Sequence, residues 1–498
     1  MSAAYNPIKR LAGETAVYGM GTIVPRLLNY LLTPFFTRIL VKADYSVLTE
    51  LYSWIAILLV VLTYGMETAF FRFSSQSENK KKVYSTAFTS ILITTLLFLV
   101  FIFIFNSDIA SALGYVKTPE YILFVSLIVA MDALAAIPFA HLREKRKALR
   151  FSTIKLINVV VNVLLNLFFL WLAPKIVESN PQYDWLLFYK SGIDVGYIFI
   201  ANLISSAVTL LLLSPELFKI RIKIDPELWK RMLRFAYPLA IVILAGMINE
   251  VADKLLMKYL LSNESLEVRK SMLGEYGANF KLAVLMSIFI QMFRFAAEPF
   301  FFAQAKEKNA KDIYAEVMKY FIIFGWLIFL GVMLFLDILK YFIDESYHAG
   351  LFIVPVILIA KLFQGVFYNL SIWYKLTDMT KIGAYIALAG TVVTLASNFI
   401  LVPKIGYAGA ALGQLLCYSS MVILSFFIGR KHFKVKYPLK KIAAYSGLAL
   451  LLYGLSSIIT IEHQLLSLAI NGLLLLSFIT VAWFAEKNNL QQFSQKGQ

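Results

Sequence analysis

Residues 237 to 260 read YPLAIVILAGMINEVADKLLMKYL, and residues 275 to 301 read EYGANFKLAVLMSIFIQMFRFAAEPFF. Each run is long and apolar enough to cross a hydrocarbon core of about 30 Å, which takes roughly 20 helical residues. Yet the first holds Glu250, Asp253 and Lys254, and the second holds Lys281, Arg294 and Glu298. A charge at bilayer depth costs about 2.5 to 3.5 kcal/mol on insertion scales. These side chains are therefore expected to face a protein interior or a wet cavity, not lipid.

The rest of the chain has the same character. Of 498 residues, 60% are hydrophobic and only 15% are charged, against about a quarter charged in soluble domains, and the mean hydropathy is +0.73. Apolar runs predict an all-α membrane protein with about fourteen transmembrane helices, at 14–36, 46–71, 84–105, 119–141, 152–173, 191–213, 235–257, 275–303, 314–338, 349–374, 381–402, 407–429, 441–460 and 464–485. The runs are continuous and do not alternate with period two, which excludes barrel strands. The net charge of +17 could suggest nucleic acid, but the basic runs Lys80 to Lys82, Arg143 to Arg150, Lys219 to Arg234, Lys306 to Lys319 and Arg430 to Lys441 fall on alternate loops. That is the positive-inside pattern of a bundle with both termini cytoplasmic.

Within the spans, several polar residues stand out. Arg26 lies near the middle of the first, flanked by Pro25, Asn29 and Pro34, which reads as a bent helix lining a cavity. Asp132 lies close to mid-depth of the fourth and reads either as a proton or sodium site or as the structural partner of a buried cation. Asn158, Asn162 and Asn166, at i, i+4 and i+8, share one helix face suited to interhelical hydrogen bonds. Lys361 sits inside the tenth span, followed by Gln364, Tyr368 and Asn369. Gly406, Gly409 and Gly413 read as close packing between spans eleven and twelve. Glu250 with Lys254, and Arg294 with Glu298, are spaced i, i+4 and can also be read as pairs that neutralise each other.

An internal likeness relates NVVVNVLLNLFFLWLAP, from Asn158, to TVVTLASNFILVP, from Thr391. Each is followed by a Gly-Tyr pair, Gly196-Tyr197 and Gly406-Tyr407. Two six-helix lobes related by a pseudo-twofold axis along the membrane normal are expected, with a site near midplane between them. The predicted organisation is an N-terminal lobe at 1–213, a basic cytoplasmic linker at 214–234, a C-terminal lobe at 235–429, two extra helices at 430–485 and a cytoplasmic tail at 486–498.

The chain resembles the Wzx-type polysaccharide and O-antigen flippases of the multidrug/oligosaccharidyl-lipid/polysaccharide (MOP) exporter superfamily. The likeness is carried by LLTPFFTRIL with Asp44-Tyr45 after it, by GMETAFFRF, by ADKLLMKYLL followed by LGEYGANFKLA and ending in AAEPFF, and by NFILVPKIGYAGAALG. It implies a transporter, not an enzyme, in the bacterial inner membrane, moving an undecaprenyl-pyrophosphate-linked oligosaccharide by alternating access. Implied partners are that lipid-linked substrate, membrane lipids and glycan-assembly enzymes, with no nucleic acid, nucleotide or cofactor.

A diphosphate needs a cationic, hydrated path, and Arg26, Lys254, Lys281, Arg294 and Lys361 are the candidate ladder, with Asn29 beside Arg26. No phosphate-binding G-x-x-x-x-G-K-[ST] loop is present. The implied energy source is then a proton or sodium gradient, with Asp132, Glu250 and Asp253 as candidate coupling carboxylates. The competing readings are a multidrug or cation antiporter of the same superfamily, expected to have an acidic cavity, and a membrane glycosyltransferase or polymerase, expected to have catalytic residues on sizeable loops.

Overall fold

The structure is a computed structural model that describes residues 7–179, 194–305, 307, 309–377, 379–459 and 463–496. Lys306 and residues 497–498 of the expected tail lie outside the described residues. Those described form helices and their connections, with no strand among them. Thirteen helical segments among them are long and apolar enough to cross a membrane. Helix α1 (Pro7–Tyr30), over the first expected span, is not one of these; Glu14, Arg26 and Asn29 lower its hydropathy.

The chain divides into two compact units, Met1–Lys258 with Glu264–Gly274, and Tyr259–Asn263 with Glu275–Gln498. The first holds α1, α2 (Thr33–Ile39), α3 (Lys42–Thr63), α4 (Met66–Gln76), α5 (Lys80–Ala112), α6 (Glu120–Glu144), α7 (Ala148–Leu167), α8 (Ala173–Ser179), α9 (Asp194–Leu217) and nearly all of α10 (Pro226–Leu260). Helix α11 (Leu266–Leu282) begins in the first unit and ends in the second. The second continues with α12 (Val284–Gln304), α13 (Ala310–Met333), α14 (Leu336–Leu339), α15 (Val354–Leu370), α16 (Ile372–Leu376), α17 (Thr380–Ile405), α18 (Tyr407–His432), α19 (Leu439–Ile458) and α20 (Gln464–Lys496).

The boundary by compactness falls at Lys258, later than the linker at 214–234. Side chains along α10 account for this, because they fasten it to its predecessors. The Asp225 carboxylate before its first turn meets Lys82 Nζ at 2.6 Å, and Trp229 Nε1 donates to Ser90 Oγ at 2.7 Å. Arg72 lies 4.3 Å from the centre of the Phe235 ring. The expected second span is broken between α3 and α4, where Tyr64 and Gly65 have φ of 31° and 74°. A Cβ on Gly65 would stand 2.9 Å from the carbonyl oxygen of Ala236, so glycine is required both by the left-handed turn and by the approach of α10.

In the second unit, α17 and α18 cross as the glycines predict. A Cβ on Gly409 would lie 2.5 Å from the backbone of Leu401. Helices α19 and α20 are joined to α13 by a buried charge cluster. Lys319 Nζ, fully buried, donates to Glu486 and to Glu316 at 2.5 Å each, while Lys441 Nζ and Tyr445 Oη donate to the other Glu486 oxygen at 3.0 and 2.9 Å. Glu486, expected to open a tail, is instead part of a helix that runs on through Lys496.

Candidate functional site

A polar seam runs through the first unit. Two of the three α7 asparagines meet neighbouring helices as their spacing predicts: Asn158 Nδ2 donates to Thr209 Oγ1 at 2.9 Å and to the Ser205 carbonyl at 3.0 Å on α9, and Asn162 Nδ2 reaches Asn29 Oδ1 on α1 at 3.4 Å. Asn166 turns back to Asn162. The α9 face that receives them, at positions 202, 205, 206 and 209, is polar at helical spacing. On it Ser206 Oγ donates to Asp132 Oδ1 at 3.0 Å and Asn202 donates to Tyr52 Oη at 3.2 Å.

Asp132 is half-buried and lies in the field of Lys155, whose ammonium stands 4.3 Å from the Phe139 ring centre. Lys155 in turn feels Arg26, Arg143 and Glu67. Arg26 and Asn29 are exposed on α1. Three cations thus share this region with two carboxylates, and Arg143 and Glu67 already form an ion pair.

Farther along α10, Asp253 and Lys254 are buried, 1% and 8% exposed. The Lys254 ammonium is held by Asp253 Oδ1 at 3.2 Å and by the carbonyl of Glu250 at 3.1 Å. One turn on, Lys258 Nζ contacts both Glu50 oxygens at 2.6 and 2.8 Å and the Leu113 carbonyl at 2.6 Å, and Tyr115 Oη donates to Glu50 at 2.8 Å. This closes α10 onto α3.

The second unit has its own seam. Lys281 is exposed in the last turn of α11, just before the break at Ala283 that separates it from α12. Lys361 on α15 is fully buried, 4.9 Å from the Phe280 ring centre and 5.8 Å from that of Tyr418. Gln364 Nε2 donates to Tyr418 Oη at 2.8 Å, and Asn279 Nδ2 donates to the Tyr347 carbonyl at 2.9 Å. Midway along α12 the exposed Arg294 guanidinium lies 4.1 Å from the Tyr368 ring centre. Glu298, four residues on, contacts Lys375 Nζ at 2.6 Å. The i, i+4 pair is therefore not the partnership formed here. Arg294, Glu298, Tyr368, Ser371 and Lys375 line one small cleft.

The predicted site residues accordingly divide between the units: Arg26, Asn29, Asp132, Glu250, Asp253 and Lys254 in the first, Lys281, Arg294 and Lys361 in the second. Glu50, Lys155, Glu275 and Lys319 are buried or half-buried ionic residues that were not among those predicted. Their signal was available, since each falls inside an expected span.

A family profile described as polysaccharide biosynthesis protein matches residues 11–304. The chain belongs to that family. A comparison with curated proteins finds no match. Among solved structures, this family member is similar to the lipid II flippase MurJ in an inward closed conformation, with a TM-score of 0.73 and 15% identity over 94% of this chain and 99% of that one. It is also similar to an inward-facing multidrug resistance MATE transporter of the MOP superfamily, with a TM-score of 0.65 and 15% identity over 84% and 97%. A MOP superfamily transporter from Pyrococcus furiosus gives a TM-score of 0.55 and 16% identity over 86% and 96%. The fold expected from the resemblance to Wzx-type flippases is thus the fold of this polysaccharide biosynthesis protein.

Proposed function

We propose that the protein flips an undecaprenyl-diphosphate-linked oligosaccharide, the repeat unit of an O-antigen, capsule or exopolysaccharide, from the cytoplasmic to the outer leaflet of a bacterial inner membrane. Alternating access driven by a proton or sodium gradient is the proposed mechanism, with both termini cytoplasmic. The observation that carries this reading is that Arg294 is exposed on α12, one of the segments apolar enough to cross a membrane, and that Arg26 and Lys281 are exposed on α1 and α11. An exposed cation on such a helix suits an anionic cargo, and a guanidinium resting on an aromatic ring, as at Arg294, is oriented for bidentate contact with phosphate oxygens. In this scheme Asn29, Lys254 and Lys361 tune the path, and Asp132, Glu250 and Asp253 are the carboxylates through which the ion gradient acts.

The test is reconstitution of the purified protein in vesicles carrying a fluorescent polyprenyl-diphosphate disaccharide, with appearance in the outer leaflet followed under imposed proton and sodium gradients. Wild type should move the lipid, and Arg294→Gln should slow it roughly tenfold or more, the effect of losing a hydrogen bond to a charged group worth about 1.5 to 3 kcal/mol. Equal rates for wild type, Arg26→Gln, Lys281→Gln and Arg294→Gln would remove the cationic path. Transport of a cationic dye in place of the lipid would favour the antiporter reading.

A further inference from the structure

The second unit contains a groove that the proposed transport path does not use. It lies between α13, α15, α18 and α19, encloses about 1150 Å³ including its open side, and its lining is almost wholly apolar, with Ile322, Val366, Ile423, Phe427, Ile442 and Leu450 among its walls. Ile423, Phe427 and Leu450 are 53%, 59% and 45% exposed. At one end it meets a small polar cavity that shares Leu370, Phe426 and Tyr437 with it and adds Trp373, Ser425 and Arg430.

Two features identify the occupant. The polar cavity stands at the turn from α18 to α19, which carries the exposed Arg430, Lys431, Lys434, Lys436 and Lys440. Among the described residues no carboxylate forms an ion pair with any of the five; the nearby Lys441 is the one engaged by Glu486. A long apolar groove between helices apolar enough to cross a membrane, ending in a polar cavity beside unneutralised cations, has the shape and charge of a lipid with an anionic head.

We propose that this groove binds one anionic diacyl phospholipid, its acyl chain along α13, α15 and α19 and its phosphate beside Arg430 and the 431–440 turn. The lipid fills apolar surface between α19 and the rest of the unit and offsets part of the positive charge of the turn.

The experiment uses full-length protein exchanged into nanodiscs of equal phosphatidylglycerol and phosphatidylcholine, then delipidated and weighed with its retained lipid by native mass spectrometry. Wild type should retain phosphatidylglycerol preferentially, and the preference should fall roughly fivefold per cation removed, corresponding to about 1 kcal/mol each. Arg430→Gln/Lys434→Gln/Lys436→Gln should therefore retain both lipids alike. Ile442→Trp, or Leu450→Trp if the first does not fold, should retain neither, with the melting temperature monitored as a control. If neither tryptophan variant folds, the charge variant alone decides. Equal retention of the two lipids by wild type, unchanged retention in a folded tryptophan variant, or displacement of phosphatidylglycerol by an equal amount of polyprenyl phosphate would each overturn the proposal, the last by giving the groove to a polyprenyl chain.

Discussion

Removing the ammonium of Lys319 leaves Glu486 and Glu316 facing each other without the cation that both contact. Because Lys319 is fully buried and Glu486 is 2% exposed, the loss falls in the range for breaking a buried pair, about 3 to 5 kcal/mol. Lys319→Met is expected to lower the melting temperature of the detergent-solubilised protein sharply, and Lys319→Met/Glu486→Leu to recover part of it. Additive losses in the double variant would show that the two residues do not act on each other. Spacing along one helix offers partners, but neighbouring helices select among them. Glu298, which has Arg294 one turn back on its own helix, contacts Lys375 on α16 instead. Residue-level pairings of this kind were beyond sequence reasoning, because they depend on which helix lies opposite. The asparagines of α7 were legible because their period alone fixes the face they share.

At the scale of elements, the apolar runs located the helices but not their breaks. The second expected span is interrupted at Tyr64 and Gly65, where the turn is set against the Ala236 carbonyl of α10. The eighth is interrupted at Ala283, with neither glycine nor proline at the break. Hydropathy does not register a change of direction that apolar residues make. Gly65→Ala should cost at least 1 to 2 kcal/mol, roughly the penalty of a left-handed conformation for an L-residue, and Gly65→Val more. Thermal unfolding of both variants checks this, and an unchanged melting temperature would mean the turn can relax.

The start of α10 offers a pH signature. Its Asp225 carboxyl accepts from Lys82 Nζ and, at 2.7 Å, from the Leu228 amide, and these bonds hold it below the usual carboxylate range. A group depressed in the folded state contributes stability above its unfolded value of about 3.9 and loses it as pH falls through the folded value. The gap in melting temperature between wild type and Asp225→Asn should therefore be full at pH 7 and should close only below about pH 4. A gap constant from pH 7 to pH 3 would exclude the carboxylate as its source.

For the whole molecule, membership of the polysaccharide biosynthesis family and likeness to MurJ and MATE structures agree with what composition and motif order predicted. If the proposed coupling is right, one of Asp132→Asn, Glu250→Gln and Asp253→Asn should retain lipid binding while its flipping rate no longer responds to an imposed gradient. Undiminished gradient response in all three would move the coupling elsewhere, with Glu50 and its partner Lys258 the next pair to examine.

The clasp at Glu486 bears on how the molecule can be cut or tagged. A stop codon or protease nick at residue 485 leaves every apolar stretch of α19 and α20 intact, yet it strips Lys319, Lys441 and Tyr445 of their common anchor. Such a shortened chain should insert normally and still come apart at its last hairpin when detergent replaces the bilayer, so affinity handles belong beyond the end of the chain and not in place of its final turns.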